Sequence, residues 1–437
     1  MEKPARKPPH PFLYFLLFLP FGATSGFIQV TIGNLAGKAG LSDVVIAGMT
    51  ATNTLPHTWK FLWAPLVDTV WTGRGWYITT NLISSAAIIT LGFIPIGDGT
   101  VWLMTIIIFI NGLSTTFIGM CTEALMAKLS TPEQHGAAGG WSQAGNLGGA
   151  TIGGLGLMIA QNTAADWMPF VIVGGLLLSC SLVLSFVDEP PPPDPRPRFF
   201  DSLKILGRDI RDLLTDPVRE GKVQPKWMLG FPPILIYSLS GAGILSISLS
   251  LMPIGSGGAQ NLFAVMGADW GVSEDWISIF NGFGSGIAAI LGSLAGGLLA
   301  SKIDKRWSYA ISGVILSLFT FGMALAPKVF VTYAGGVLTY SFALGMCYST
   351  FTAFVLDIIG RTGGATKYNL FASLANMPIY TMALVDGFIA TKYGRTTMLW
   401  IDGLAGVAGA VVLMSIVAVL RVGRSSLPTA RVVPPEK

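Results

Sequence analysis

Charge is what this sequence has least of. Only 11% of its 437 residues are Asp, Glu, Lys or Arg, while 51% are hydrophobic and the mean hydropathy is +0.62. A soluble domain carries roughly a quarter of its residues charged. So few charges cannot build a water-facing surface on a chain of this length, and lipid is the expected solvent for most of it. Cysteine and histidine are equally sparse, three of each. Cys121, Cys180 and Cys347 all fall in apolar segments, so they read as small buried hydrophobes rather than a disulfide frame. With only three histidines, a multi-His metal centre is not expected. There is no Gly-rich phosphate loop ending in Lys and Ser or Thr, so ATP is not the expected energy source. No cofactor and no nucleic-acid partner are expected.

What is present is a succession of apolar stretches. A membrane helix needs about 20 mostly apolar residues, and a window of that size predicts twelve spans. They lie near 12–33, 43–66, 76–96, 101–127, 136–161, 165–187, 229–254, 274–300, 307–326, 329–356, 365–391 and 396–420. They are numbered span 1 to span 12 below. The 54 glycines fit this reading, because small residues let membrane helices approach closely. The first span is too long, and too poor in a small-residue cleavage site, to read as a secretory signal.

Orientation follows from Lys and Arg. With the basic N-terminus 1-MEKPARKPPH-10 in the cytoplasm, twelve spans return the C-terminus to the same side. The opposite loops then hold only Lys38, Lys328, Lys392 and Arg395 of the 27 Lys and Arg residues. Both termini are therefore expected in the cytoplasm. The rhythm breaks once, at 188-DEPPPPDPRPRFFDSLKILGRDIRDLL-214. Four prolines make a stiff spacer, and the residues after them alternate apolar and basic faces like a helix lying on the membrane surface. The predicted organisation is a six-helix bundle over 1–187, a cytoplasmic linker over 188–228 and a second six-helix bundle over 229–437.

The two halves resemble each other. The fourth span holds 119-GMC-121 and the tenth 345-GMC-347, while 142-SQAGN-146 matches 372-ASLAN-376. The turn with Asp68, Arg74 and Gly75 matches the one with Asp304 and Arg306. The pattern predicts an all-α membrane protein of two six-helix bundles and resembles the major facilitator superfamily, where a solute site is expected near mid-membrane between the halves. Asp68, Arg74, Asp304 and Arg306 are candidates for a conformational gate, or for simple anchoring at the membrane edge.

One stretch is more specific. The run 60-KFLWAPLVD-68 resembles the Lys-Phe-Leu-Trp-x-Pro-Leu-x-Asp signature of the peptide–acetyl-CoA–drug transporter family. The resemblance implies a secondary transporter, alternating in access and driven by protons. Relatives in that family import anhydromuropeptides across the bacterial inner membrane, carry acetyl-CoA, or take up siderophores. A muropeptide is the first expectation and a siderophore the second; export of a drug is a further alternative. A membrane-embedded transferase would need a convergent set of catalytic groups on an aqueous loop domain, and an enzyme is not expected. The expected partners are a small-molecule substrate, protons and lipid, with the chain a monomer.

A charge at the centre of a membrane helix costs about 2.5–3.5 kcal/mol on insertion scales, so it persists where it faces water or a partner. His57 and Lys60 lie three apart on one face of span 2, with Asn53 one turn further out. Lys60 either snorkels to the cytoplasmic face or binds an anionic solute group, in which case Glu123 is the expected counter-charge. His57 is a neutral bundle residue or a proton site, since imidazole titrates near neutrality. Glu123, Asp386 and Asp402 are the candidate proton carriers, because a carboxyl in apolar surroundings can hold a proton near neutral pH. Gln143, Asn146, Asn376 and Tyr380 are the chosen cavity-lining candidates, and Gln29, Asn111, Tyr237, Asn281 and Asn369 share their character. Pro65 is expected to close span 2, and Trp63 to sit among the headgroups.

Overall fold

A computed structural model describes residues 8–41, 43–58, 60–163, 165–187, 189, 204, 207–208, 252–359 and 364–424. The regular structure among them is entirely helical. Residues 229–251 of the expected span 7, and most of the expected surface helix over 200–214, lie outside the described residues.

Eleven of the twelve expected spans are seen as helices. Span 1 runs Phe12–Lys38, with a wider π turn over Phe27–Ile32. Span 2 is Asp43–Thr58 continued by Lys60–Thr69, and span 3 is Gly73–Leu91. Span 4 is Val101–Leu129, and span 5 is His135–Gly154 continued by Gly156–Asn162. Span 6 is Met168–Ser179, tightening into a 3-10 turn over Cys180–Phe186. Span 8 is Asp275–Lys302, span 9 Lys305–Leu325 and span 10 Phe330–Ile359. Spans 11 and 12 are Gly364–Tyr393 and Arg395–Arg424. Pro65 lies inside its helix rather than ending it. A short helix, Phe263–Asp269, precedes span 8 and was not foreseen. Its Asp269 forms an ion pair with Arg395 at the start of span 12.

Seven of these helices are long and apolar enough to cross a membrane by length and composition alone: spans 1, 4, 6, 8, 9, 10 and 12. Spans 2, 3, 5 and 11 fall outside that set, and 2, 5 and 11 are among those that face the central cavity. Their polar residues look inward to it, which is why their mean character is less apolar. Large side chains such as Trp102, Leu182, Phe186, Leu318 and Val331 are exposed on the outside. In water that coat would be a continuous sticky patch; in lipid it is solvated.

The apolar packing shows how the two halves meet. One cluster joins Tyr14, Leu17 and Leu125 of the first half to Tyr309, Phe354 and Phe371 of the second. It lies at the end bearing the Asp68 and Asp304 turns. Toward the other end each half keeps its own core, around Phe27, Ile88 and Phe170 in one and Phe263, Val337 and Leu399 in the other. The bundles are therefore fused at one end and parted at the other. Trp63 belongs to the fused end, where its indole N–H donates to the Thr116 hydroxyl at 3.3 Å. That buried acceptor holds it in the bundle, not among headgroups.

Span 5 is what makes the fused end so close. Gly145, Gly149 and Gly153 lie directly against the backbone of span 1. On its other side, a Cβ placed on Gly297 of span 8 would stand 2.6 Å from the Gly140 Cα and 2.7 Å from the Gly136 carbonyl oxygen. No side chain fits there, so the halves touch backbone to backbone.

Candidate functional site

Between the parted ends lies a cavity of about 570 Å³. Both halves line it. Span 1 brings Phe18, Phe21 and Gln29, and span 2 brings His57 and Lys60. Span 5 contributes Gln143 and Asn146, span 10 Tyr348 and Thr352, and span 11 Tyr368 and Asn376. The internal repeat is visible here: Asn146 and Asn376, the matching positions of SQAGN and ASLAN, face the same space from opposite halves. The volume falls within the range usual for small-molecule sites, and the lining is aromatic with a few placed polar groups.

The floor is polar and spans both halves. Lys60 is 8% exposed, and its Nζ lies 3.8 Å from Oε1 of Glu123, itself 4% exposed. The other carboxylate oxygen of Glu123 accepts a hydrogen bond of 2.7 Å from the Asn369 side chain of span 11. Beside this pair, Gln143 donates to the Thr352 hydroxyl at 3.0 Å, and that hydroxyl meets the Tyr368 hydroxyl at 2.9 Å. Asn146 donates back to Gln143 at 3.2 Å. A buried pair of this kind is balanced without ligand, and it presents a cation to any anion that enters. His57 stands edge-on to the Phe21 ring at 5.1 Å, and its Nε2 has no hydrogen-bond partner among the described residues. It is a free polar group at the cavity wall.

One candidate takes another place. Asn53 is buried away from the cavity: its side-chain amide oxygen accepts from the Asn111 side chain at 3.2 Å, and Asn111 in turn accepts from Ser84 at 2.7 Å. This chain of amides ties spans 2, 3 and 4 together, so Asn53 is a helix–helix contact and not a solute ligand. Tyr380 lies on span 11, but its side chain is outside the described residues, as is Tyr237. Asn281 donates to the Tyr333 hydroxyl at 2.7 Å, clear of the cavity.

Below the floor the halves are latched. The Asp68 carboxylate accepts from the Ala365 N–H at 3.2 Å, the Thr366 N–H at 2.9 Å and the Thr366 hydroxyl at 2.8 Å. An acid from span 2 thus caps the first turn of span 11, where free N–H groups and the helix dipole favour negative charge. A second link joins His135 of span 5 to Asp357 of span 10 at 3.6 Å, and Lys305 of span 9 reaches the same oxygen at 3.3 Å. The other gate candidates behave differently. Asp304 caps its own helix, accepting from the Arg306 N–H at 2.9 Å. The Arg74 side chain is exposed, while its N–H and that of Gly73 donate at 2.9 Å to Glu189. Glu189 also lies 3.6 Å from Lys128. Glu189 was missed, because its position before four prolines reads only as linker. Thr352 and Tyr368 were missed because neither carries a charge to mark it.

Asp386 and Asp402 lie outside the cavity, in the second half near the end away from the latch. Both are buried, at 0% and 7% exposure. The Tyr340 hydroxyl donates to Asp402 at 3.3 Å. Among the described residues no group of three or more His, Cys, Asp or Glu could hold a metal.

Comparison with known proteins agrees with this architecture. The chain is 23% identical over 417 residues to the anhydromuropeptide permease of Escherichia coli (strain K12), covering 92% of this chain and 78% of that one. It is 22% identical over 426 residues to the putative transporter AmpG 2 of Rickettsia typhi, covering 92% and 95%. Among solved structures, the human organic anion transporter MFSD10 superposes with a TM-score of 0.65 at 15% identity, over 92% of this chain and 98% of that one. The Escherichia coli fucose:proton symporter FucP superposes with a TM-score of 0.65 at 13% identity, over 93% and 98%. The family model for the Major Facilitator Superfamily matches residues 12–377. A cavity between two fused bundles and a match over most of the length place the same label on this chain: it belongs to the major facilitator superfamily, as a multi-pass membrane transporter resembling the anhydromuropeptide permeases.

Proposed function

We propose that the chain imports an anhydromuropeptide-like solute across a bacterial inner membrane by alternating access, driven by protons. The observation that carries the reading is the Lys60–Glu123 pair at the floor of a cavity shared by both halves. The cation takes a carboxylate of the solute. The amides of Gln143, Asn146 and Asn376 take its polar groups, and the faces of Phe21, Tyr348 and Tyr368 take its sugar rings. The similarity to anhydromuropeptide permeases supports this choice of solute. The latched end, with its Lys- and Arg-rich turns, is the cytoplasmic one by the positive-inside rule, and both termini lie on that side.

In this conformation the cytoplasmic end is closed by Asp68, by the His135–Asp357–Lys305 cluster and by the glycine contact. A solute carboxylate arriving at Lys60 competes with Glu123. Releasing Glu123 also loosens Asn369, and so slackens the tie between span 4 and span 11. The two halves then rock about their shared contact and open the other way.

The test is uptake into proteoliposomes under an imposed inward proton gradient, with a labelled anhydromuropeptide, a ferric siderophore and acetyl-CoA compared. Accumulation of the muropeptide that collapses with a protonophore is expected. Accumulation of either other solute in its place, or indifference to the gradient, would reject the reading.

A further inference from the structure

The floor pair explains solute binding but leaves two buried carboxyl groups without a task. Asp386 of span 11 and Asp402 of span 12 face each other closely enough to interact. Asp402 accepts from the Tyr340 hydroxyl. Neither oxygen of Asp386 meets a hydrogen-bond donor among the described residues, although the residue is fully buried. Among the described residues the ionisable group that meets the pair is Tyr340 of span 10, which has Tyr348 as its own neighbour; the segment Gly258–Leu262 packed against span 11 supplies none. No described basic group acts on either carboxylate. Two adjacent carboxylates without a cation cannot both ionise out of water.

The pair also stands next to an unusual piece of chain. Residues 252–257 are not helical, and Gly255 and Gly257 both adopt φ of +69°, a left-handed conformation that favours glycine. This segment is a partition. On one side Ile254, Gly255 and Ser256 line the solute cavity. On the other, Gly258 presses on the carboxylate of Asp386 so closely that a Cβ would overlap Oδ2. On span 11 itself, Ile379 and Ala383 line the cavity, and Asp386 follows one turn later on the same stripe.

We propose that Asp386 and Asp402 share a single proton and form the coupling site of the transporter, separate from the solute cavity and connected to it through the segment Ile254–Gly258. A proton from water forms one O–H bond with the pair, and the same bond breaks when the proton returns to water; no other bond changes. With the proton bound, one carboxyl donates to the other and the pair fits beneath Gly258. Without it, two anions repel in a dry site, span 11 and span 12 separate, and the segment shifts at the cavity wall. Proton occupancy is thus read by the solute site without contact between proton and solute. The inference rests on the transporter reading for its purpose, but not for its test.

The test is infrared difference spectroscopy of the full-length protein in lipid, titrated with pH in the absence of any solute. The wild-type chain should show one protonated-carboxyl C=O band that shifts in heavy water and is lost at high pH. Asp386→Asn and Asp402→Asn should each remove it, and Tyr340→Phe should move the pH of its loss, a change that mere repacking would not produce. A band that survives both Asn variants overturns the proposal. So does a band abolished by sodium at constant pH, which would make the site one for a metal cation. In proteoliposomes, Asp386→Asn should bring the accumulation ratio down to about one. If the wild-type chain accumulates none of the offered solutes yet the band behaves as stated, the choice of solute fails while the shared proton stands.

Discussion

The Asp68 cap gives the sharpest handle on how the latched end stays shut. Replacing Asp68 by Ala removes the acceptor for two N–H groups and one hydroxyl at the first turn of span 11. Removing a helix N-cap costs about 0.5–2 kcal/mol. Here three donors converge on one ionised group, and hydrogen bonds to charge are the stronger kind, so the upper end, about 2 kcal/mol, applies. The contact exists only while the halves are latched, so the whole amount falls on the conformational equilibrium. At 1.4 kcal/mol per tenfold, that is a factor of about 30. A carrier closed at this end by about 99 to 1 would become closed by about 3 to 1. Spin labels on cysteines introduced at Glu133 and Lys302, exposed positions on opposite halves of the latched end, report this by double electron–electron resonance. The native Cys121, Cys180 and Cys347 are buried and should label poorly. The long-distance population should rise from about 1% to about 25% in Asp68→Ala, with Asp68→Asn intermediate because it keeps an acceptor oxygen. An unchanged distance distribution in a folded Asp68→Ala protein would refute the reasoning and assign closure to the remaining contacts: the apolar cluster, the glycine contact and the His135–Asp357 link.

Three further outcomes are expected. Lys60→Ala should abolish uptake while expression and membrane insertion stay normal, and Glu123→Gln combined with it should restore thermal stability but not transport; unaltered uptake kinetics in the single variant would remove Lys60 from the cavity role. Gly297→Val should drive the labelled pair to the long distance, because the new side chain meets the backbone of Gly136 and Gly140, and a distribution centred on the short distance would contradict the contact. Asn53→Ala should lower thermal stability by about 1–2 kcal/mol through the orphaned Asn111 amide yet leave solute affinity unchanged, and a large rise in KM with no loss of stability would return Asn53 to the site.

The sequence revealed the fold through its apolar runs, since each hydrocarbon crossing imposes a length that a window can find. It revealed the Lys60–Glu123 pair because an isolated charge in a greasy segment demands an opposite one, and few were on offer. The repeat placed Asn146 and Asn376 in equivalent positions, and they do line one cavity. Asn53 misled because helical spacing puts it on the face of His57, but at its own level span 2 packs tightly on span 4, whereas one to two turns further on His57 and Lys60 border the cavity. Spacing within one helix cannot tell where the neighbour changes. The Asp68 and Asp304 turns read alike, yet Asp68 caps the start of span 11 in the other half while Asp304 caps its own helix, because an N-cap serves whichever helix start lies within reach. Glu189, Thr352 and Tyr368 were illegible for the same reason: their meaning lies in partners more than 60 residues away or across the bundle interface, except for the Thr352–Tyr368 contact itself, and no local pattern encodes that.

The glycine seam has a mechanical consequence. Spans 5 and 8 face each other from Gly136 and Ser301 at one end to Thr151 and Gly286 at the other. Interlocking side chains at such a joint would have to unlock, change rotamer and re-engage on every stroke. Where Gly140 meets Gly297 bare backbone has nothing to disengage and the surfaces can roll like the halves of a plain bearing, while further along Ile290 seats on Gly148 and Thr151 on Gly286, one small catch each. Turnover would then be limited by the polar catches at the rims, and not by friction along the axle.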